Sequence, residues 1–291
     1  MAMNFPEIWE SRVRQTLEVG AEPDFLKGVP ELDGDVTEMG EKNLIHVPAT
    51  HFNPDVLINN STYPLAVQDY DEETITLSLD KYQSKPTRVT DDQVQGASYN
   101  KIDAVTRSHT NSISVRKYSK AIHAIAPVKH TATTPVVAIK GDSCTYSDLV
   151  ALKKAADKAK WPIEGRRLVL TPKHWNELLE DRGRFAELLI NHKTGEVLPM
   201  IAGWEITQYV NTPVYKADGN KRAFGEVVES TDKEASVAFV VDNVGKKTGI
   251  TKQYYSEAKT SPTTQANLLA YRHYFIATPV ESKYIAALID K

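Results

Sequence analysis

Thr74-Ile75-Thr76-Leu77-Ser78-Leu79-Asp80-Lys81-Tyr82-Gln83, read together with Asn43-Leu44-Ile45-His46-Val47-Pro48-Ala49-Thr50, decides the fold of this chain. Ile75, Leu77 and Leu79 fall on one face of the first stretch and Thr74, Thr76 and Ser78 on the other, the period of a half-buried strand. The second stretch also reads as a strand. The connector between them, His51–Glu73, is rich in Asn, Pro, Tyr and acids, with turn chemistry at Asn53-Pro54 and Asn59-Asn60-Ser61. The pair therefore predicts a long hairpin. An isolated two-stranded ribbon is marginal in water, and no apolar partner lies nearby in the sequence. From Lys42 to about Ala126 the chain cannot be packed inside a compact globule. A second copy of the same chain is the simplest partner, which points to a subunit of an assembly.

Composition bounds the alternatives. The chain has 291 residues, 41% hydrophobic and 25% charged, the profile of a folded protein of one large or two smaller domains. No run is long and apolar enough to span a bilayer, and Met1–Glu10 lacks the basic-then-apolar pattern of a signal peptide. A single cysteine, Cys144, excludes an internal disulfide framework. The net charge of -3 offers no basic field for nucleic acid. Charge is nonetheless uneven: Glu18, Glu22, Asp24, Glu31, Asp33, Asp35, Glu38 and Glu41 face a single Lys27. This run reads as a solvated arm, or as an arm that docks on a basic surface of a neighbouring subunit.

An amphipathic opening (Ile8, Trp9, Val13, Leu17) precedes that arm. After the hairpin, Thr90 stands three residues before Gln93, with Asp91 and Asp92 between them, a capping-box start. Val94, Ala97, Ile102, Val105, His109, Ile113 and Ile122 then form one stripe at helical period, predicting a helix that runs to Pro127. Ile102, Val105 and Ile113 are expected to face a sheet built partly from Ile250–Tyr255. The remainder has the texture of a compact α/β unit. Strands are predicted at Val136–Lys140, Arg167–Leu170, Ile201–Tyr209, Val237–Val241 and Ile250–Tyr255. Helices are predicted at Tyr146–Lys160, Lys173–Leu179 (with Pro172 at its first turn) and Thr264–Arg272. Apolar segments at Tyr274–Ala277 and Tyr284–Ile289 close the chain.

No catalytic constellation rises from the motifs. Gly141-Asp142-Ser143-Cys144 follows a strand and precedes a helix, where a hydrolase would place its serine. The base would have to be His273, which in the matching hydrolase pattern follows an aspartate by three residues; here that position is Ala270. Asp142 or Ser143 as the cap of the helix entering Tyr146 is the simpler reading. Gly245-Lys246-Lys247-Thr248 looks like the end of a phosphate loop, but Val240 occupies the place of its first glycine, and Val244–Gly249 reads as a hairpin turn. The eight histidines (His46, His51, His109, His123, His130, His174, His192, His273) show no metal spacing. No cofactor and no metal are expected, and the chain is not read as an enzyme; a serine hydrolase centred on Ser143 remains the alternative from a different class.

The order of these segments resembles the major capsid protein of tailed bacteriophages, the Hong Kong ninety-seven type fold shared with encapsulin shells. Leu77–Asp92 looks like the return strand of the family's extended loop running into its spine helix. Arg167–Tyr209, with Leu168-Val169-Leu170-Thr171-Pro172-Lys173-His174-Trp175 and then Ala202-Gly203-Trp204-Glu205-Ile206, looks like its axial domain. The resemblance spans essentially the whole chain and implies an α+β fold in four parts. These are an N-terminal arm (1–41), an extended β-hairpin loop (42–90), a peripheral domain with a long spine helix (91–130 and 246–275) and an axial α/β domain (131–245 and 276–291).

By the same resemblance the chain self-assembles through pentamers and hexamers into an icosahedral head that encloses double-stranded DNA, in a virion assembled in the bacterial cytoplasm. A scaffolding protein, a portal and decoration proteins are the implied partners, without sequence-specific nucleic-acid binding and without a membrane. The sequence leaves no room for the long cleavable scaffolding region of some members, so scaffolding is expected from another protein or is unnecessary. An encapsulin-like compartment is the runner-up, distinguished by its contents. Part of the family joins a lysine and an asparagine of neighbouring subunits; no such crosslink is expected here. The inter-subunit contact candidates are Asp69, Asp71, Glu72 and Glu73 on the hairpin connector and Lys81, Lys85 and Arg88 at its base, too far apart to neutralise each other within one hairpin.

Overall fold

The computed structural model describes residues 13, 16–17, 22–32, 37–39, 42–49, 54–61, 63–65, 67–68, 73–90, 101–181, 200–260, 263 and 265–291. Among these, the strands form three sheets. The first is a ribbon of β1 (Thr37–Met39), β2 (Lys42–Ala49) and β3 (Glu73–Ser78), all antiparallel. Its register sets Ile45 opposite Leu77 and Val47 opposite Ile75, so the alternating face holds across the pair. Ile45 is buried with Leu79 and Tyr274 at the ribbon's base.

The long strand expected over Thr74–Gln83 is divided. At Leu79 the chain leaves the ribbon, and β4 (Asp80–Gln83) and β5 (Thr87–Thr90) both pair with β13 (Ala266–Pro279) of the second sheet. On its other edge β13 pairs with β12 (Val244–Ser256). Two sequence expectations fail here. Val244–Gly249 is the start of β12 and not a hairpin turn, and of the helix expected over Thr264–Arg272 the residues Ala266–Arg272 are strand, Thr264 lying outside the described residues. The Asn-Leu-Leu-Ala-Tyr-Arg composition suits a helix in isolation, but strands pair with β13 along both edges, and that context overrides propensity.

Helix α1 (Lys101–Ile125) packs against β13. Ile102 and Ile113 are buried with Leu269 and Tyr271, while Val105 and Tyr255 lie half-buried at the edge of that cluster. Thr90 ends β5; the helix start expected after it, Asp91, Asp92, Gln93, Val94 and Ala97, lies outside the described residues, as do Ile8 and Trp9. The buried face of α1 also includes Thr106, His109, Thr110 and Lys117. Thr110 Oγ1 donates to the Thr106 carbonyl at 2.9 Å, and Lys117 Nζ donates to the Leu17 carbonyl at 2.5 Å.

The third sheet carries the order β6-β14-β11-β7-β9-β8, with β10 (Val214–Tyr215) on β11. These strands are β6 (Val136–Ala138), β7 (Arg166–Leu170), β8 (Met200–Ile201), β9 (Trp204–Gln208), β11 (Lys233–Val240) and β14 (Ile285–Ile289). Alternation sorts its central strands onto two cores. Leu168, Leu170, Ala238, Val240, Ala286 and Leu288 face a core shared with Leu149 and Leu152 of α2 (Tyr146–Lys158) and Leu178 of α3 (Pro172–Glu180). Val169, Val237, Phe239 and Ile285 face the other way, onto Ala121, Ile122 and Ile125 of α1 and onto Phe25 and Leu26. Strands covered on both faces read as continuous apolar runs, which is why β7, β11 and β14 were visible in the sequence. The β8–β9 hairpin turns through Ala202 (φ 51°) and Gly203 (φ 81°), two successive left-handed residues of the kind a two-residue hairpin turn needs.

Candidate assembly surfaces

The acidic arm is ordered over Glu22–Leu32 and lies on its own chain, which corrects both sequence readings for this part of it. Phe25 and Leu26 are buried beneath α1 and the third sheet. Leu32 N–H donates to the Lys246 carbonyl at 2.8 Å, and Lys246 N–H donates to the Pro30 carbonyl at 3.1 Å. Lys246 Nζ reaches both Glu22 carboxylate oxygens at 2.8 Å, Lys247 Nζ reaches the Leu32 carbonyl at 3.1 Å, and Arg167 holds the carbonyls of Phe25 and Lys27. The phosphate-loop lookalike Gly245-Lys246-Lys247 is thus the track that receives the arm. A Cβ on Gly245 would fall within 2.6 Å of Leu32 Cγ. Gly245→Ala is therefore expected to cost about 1–3 kcal/mol by overpacking and to expose 22–32 to limited proteolysis. A digestion pattern identical to that of the unaltered chain would contradict this docking.

The end of α1 is capped from a distance. Lys221 Nζ donates to the carbonyls of His123 at 2.7 Å and Ala126 at 2.5 Å, where the helix dipole favours a cation, although burial pulls this ammonium down to about 8. His123 Nε2 lies 2.8 Å from the Arg222 carbonyl. Arg222 in turn binds Glu226, Glu229 and Asp232. Bonding to Arg222 holds the Asp232 carboxyl below the usual range. These contacts fix the loop that presents Phe224, Val227 and Val228 to solvent.

Among the described residues, no site for chemistry is assembled. Ser143 is exposed ahead of α2, and the helix cap is Thr145, not Asp142 or Ser143: the Asp148 carboxylate accepts from the Thr145 N–H at 3.0 Å and hydroxyl at 2.8 Å. His273, the only base considered for Ser143, is buried in β13 against Thr251 (2.9 Å) and Lys117 (3.4 Å), and burial beside Lys117 pulls it down to about 3. Burial, with Asp148 and Glu177 nearby, pushes the Cys144 thiol up to about 12, leaving it unreactive.

A serine–histidine–aspartate chain does exist elsewhere. His174 Nδ1 lies 2.7 Å from Ser236 Oγ and Nε2 2.9 Å from Asp290 Oδ1. The three residues are scattered through the sequence, which hid the arrangement. Ser236 is wholly buried and accepts the Thr171 N–H at 3.0 Å, so no substrate reaches it. Burial acts to raise the Asp290 carboxyl, but bonds from His174 and Lys173 hold it below the usual range. The chain clamps the C-terminal segment to the start of α3. Among the described residues, no group of three His, Cys, Asp or Glu is placed to hold a metal, and no helix is long and apolar enough to cross a membrane.

What the surface does present is unpartnered apolar area. In the hairpin connector, Val56, Leu57, Ile58, Tyr63, Leu65 and Val67 are all exposed, Val67 by 91%. The connector is nonetheless closed on itself: Asp55 N–H donates to Gln68 Oε1 at 2.9 Å, and Gln68 Nε2 donates to Asp55 Oδ2 at 2.8 Å. Lys81 in β4, Lys85 in the link and Arg88 in β5 are exposed at the hairpin base. Asp69, Asp71 and Glu72 lie outside the described residues, as does the side chain of Glu73. The structure therefore gathers the basic candidates along one stretch and does not show the acidic ones.

Comparison with known proteins identifies the family. A family model described as phage capsid protein matches residues 72–288. In structure the chain is similar to the capsid of the cyanophage P-SCSP1u (17% identity, 90% of this chain and 87% of that one, TM-score 0.64). It is also similar to the capsid of an empty GTA particle (10%, 91% and 89%, TM-score 0.63) and to the mature capsid of bacteriophage PhiM1 (10%, 93% and 88%, TM-score 0.56). No curated protein matches in sequence. The family match covers most of the chain, the mixed α+β fold is that of these capsids, and the chain therefore belongs to the phage capsid protein family, a structural subunit of the virion shell and not an enzyme.

Proposed function

We propose that this major capsid protein builds the phage head chiefly through its hairpin, which leaves one subunit and lies on the next. The observation that carries the reading is the exposed apolar connector on a ribbon that, among the described residues, pairs with no strand of the other two sheets. Contacts of this kind are heterologous, and heterologous contacts that close under rotation make the pentameric and hexameric rings from which a shell is tiled. The division implied by the sequence is carried forward with it: arm 1–41, loop 42–90, peripheral domain 91–130 and 246–275, axial domain 131–245 and 276–291. The pairing of β12 with β13, and the packing of α1 on β13, support the two-part peripheral domain. Because β4 and β5 pair with β13, we draw the free part of the hairpin as ending at Leu79. A scaffolding protein, a portal and decoration proteins would complete the head.

Charge would set the register between neighbours. Lys81, Lys85 and Arg88 at the base of one hairpin meet acids of an adjacent subunit, with Asp69, Asp71, Glu72 and Glu73 the nearest supply by sequence. Each exposed pair contributes only about 0–1 kcal/mol, so the effect comes from repetition around the shell. The triple variant Lys81→Ala, Lys85→Ala, Arg88→Ala is expected to fold as a monomer yet assemble poorly, a defect that high salt reproduces in the parent chain by screening. Assembly of the triple variant equal to the parent at low and at high salt would reject the charge contacts and leave apolar burial as the adhesive.

A further inference from the structure

The second sheet is backed by α1 on one face only. Along β13, Leu269 and Tyr271 point to α1, so Leu268, Ala270 and Arg272 point away from it. Beyond Tyr274, which the base of the ribbon covers, this outer face sets Lys252 directly opposite Arg272, and Arg88 opposite Leu268. Like charges directly opposite each other, their Cβ atoms about 4.5–5.5 Å apart, destabilise a strand pair. No acid on these strands offsets them. β4, β5, β12 and β13 hold Lys81, Arg88, Lys246, Lys247, Lys252 and Arg272 against a single carboxylate, Asp80. Asp80 is turned to the other face, where it binds Lys120 of α1, and Glu257, just past β12, is paired with Lys259. Among the described residues, neither Lys252 nor Arg272 forms an ion pair with a carboxylate.

Arg272 is nonetheless held in place. Its guanidinium carbon lies 5.2 Å from the centre of the Tyr254 ring. Gln83, with its amide oxygen toward Arg272, accepts from Nε and Nη2 at 3.2 Å. Both supports are uncharged, so they fix the cation without neutralising it. We propose that this outer sheet face binds the phosphate backbone of DNA without regard to sequence, with Arg272 and Lys252 as its central contacts. An arginine held as a planar fork suits a phosphate. A sheet whose open face joins cations to an aromatic ring is an arrangement that nucleic-acid binders use. A protein partner fits less well. The centre of a protein interface is depleted of charge, whereas the centre of this face is the charged pair; nucleic-acid interfaces are polar and positive. The net charge of -3 describes the whole chain and not one face of it. This contact goes beyond shell building and does not depend on where the hairpin lands.

The test follows a short fluorescein-labelled DNA duplex binding to the full-length chain, before shells close, by anisotropy between about 50 and 200 mM salt. Each phosphate contact contributes about -0.9 to the slope of log K against log salt. Lys252→Gln combined with Arg272→Gln is therefore expected to make the slope shallower by about 1.8 and to weaken binding at the lower salt by roughly tenfold or more. A purely structural role for the pair would leave the slope unmoved. Should the double variant misfold by circular dichroism, Lys252→Gln alone, at an exposed position, is expected to change the slope by about 0.9. A parent chain that does not bind the duplex at the lower salt overturns the proposal. So does a folded double variant with the parent's slope and affinity; if that variant also fails to assemble, the face belongs to carboxylates of a neighbouring subunit.

Discussion

Excising the hairpin tip, residues 54–68, and closing the gap with Asn-Gly is expected to abolish shell formation and leave a folded monomer. The six exposed apolar side chains of the connector contribute about 1.5–3 kcal/mol each when fully buried. The gross stabilisation per hairpin is then about 9–18 kcal/mol, before association entropy and side-chain ordering are subtracted. No other described feature offers as much exposed apolar area on one continuous segment. The monomer is expected to keep its far-UV circular dichroism and its unfolding midpoint, because the ribbon's buried contacts gather at its base, around Ile45, Leu79 and Tyr274. Size-exclusion chromatography with light scattering reads the outcome. Normal shells from the shortened chain would show that the tip is dispensable.

The second large effect concerns helix α1. Ile113→Ala is expected to destabilise the isolated chain by about 2–5 kcal/mol, the cost of deleting a fully packed aliphatic side chain. Ile113 is 4% exposed and sits with Ile102, Leu269 and Tyr271 between α1 and β13. Ile102→Ala belongs in the same range. Val105→Ala is expected to cost less than either, since Val105 lies half-buried at the rim of the cluster. Denaturant unfolding monitored on an assembly-incompetent background measures all three. An Ile113→Ala midpoint matching the parent would mean that the helix does not present this face to β13.

These contrasts show which parts of the molecule its sequence displayed. The alternation of Thr74–Leu79 and the unbroken apolar runs of β7, β11 and β14 are local patterns, and they read correctly because burial on one or both faces leaves a period in the residues themselves. The pairing of β4 with β13 leaves none: Lys81 stands opposite Tyr274, and nothing near either residue announces the other. The helix expected over Thr264–Arg272 misled for the same reason, since the strand state of Ala266–Arg272 is imposed by neighbours distant in sequence. Gly245 looked like turn chemistry when its missing side chain makes room for Leu32. The long helix was legible as a stripe, but its buried face also carries Thr106, Thr110 and Lys117, which the stripe omitted; Lys117 is satisfied by the Leu17 carbonyl, a partner distant in sequence. At the assembly surface, the sequence displayed the hairpin's long arms and the want of an apolar partner beside them, but the six exposed apolar side chains of its connector were not singled out among the Asn, Pro, Tyr and acids. The loop that presents Phe224 was not legible, because Arg222 and three carboxylates close it against a helix more than ninety residues upstream.

Electron microscopy of the purified full-length chain tests the central claim most directly. Closed shells, or rings of about five or six subunits, with density from one subunit's hairpin lying on the next, are the expected result. A monomer that persists at high concentration, with 42–79 protected from protease within a single chain, would contradict it.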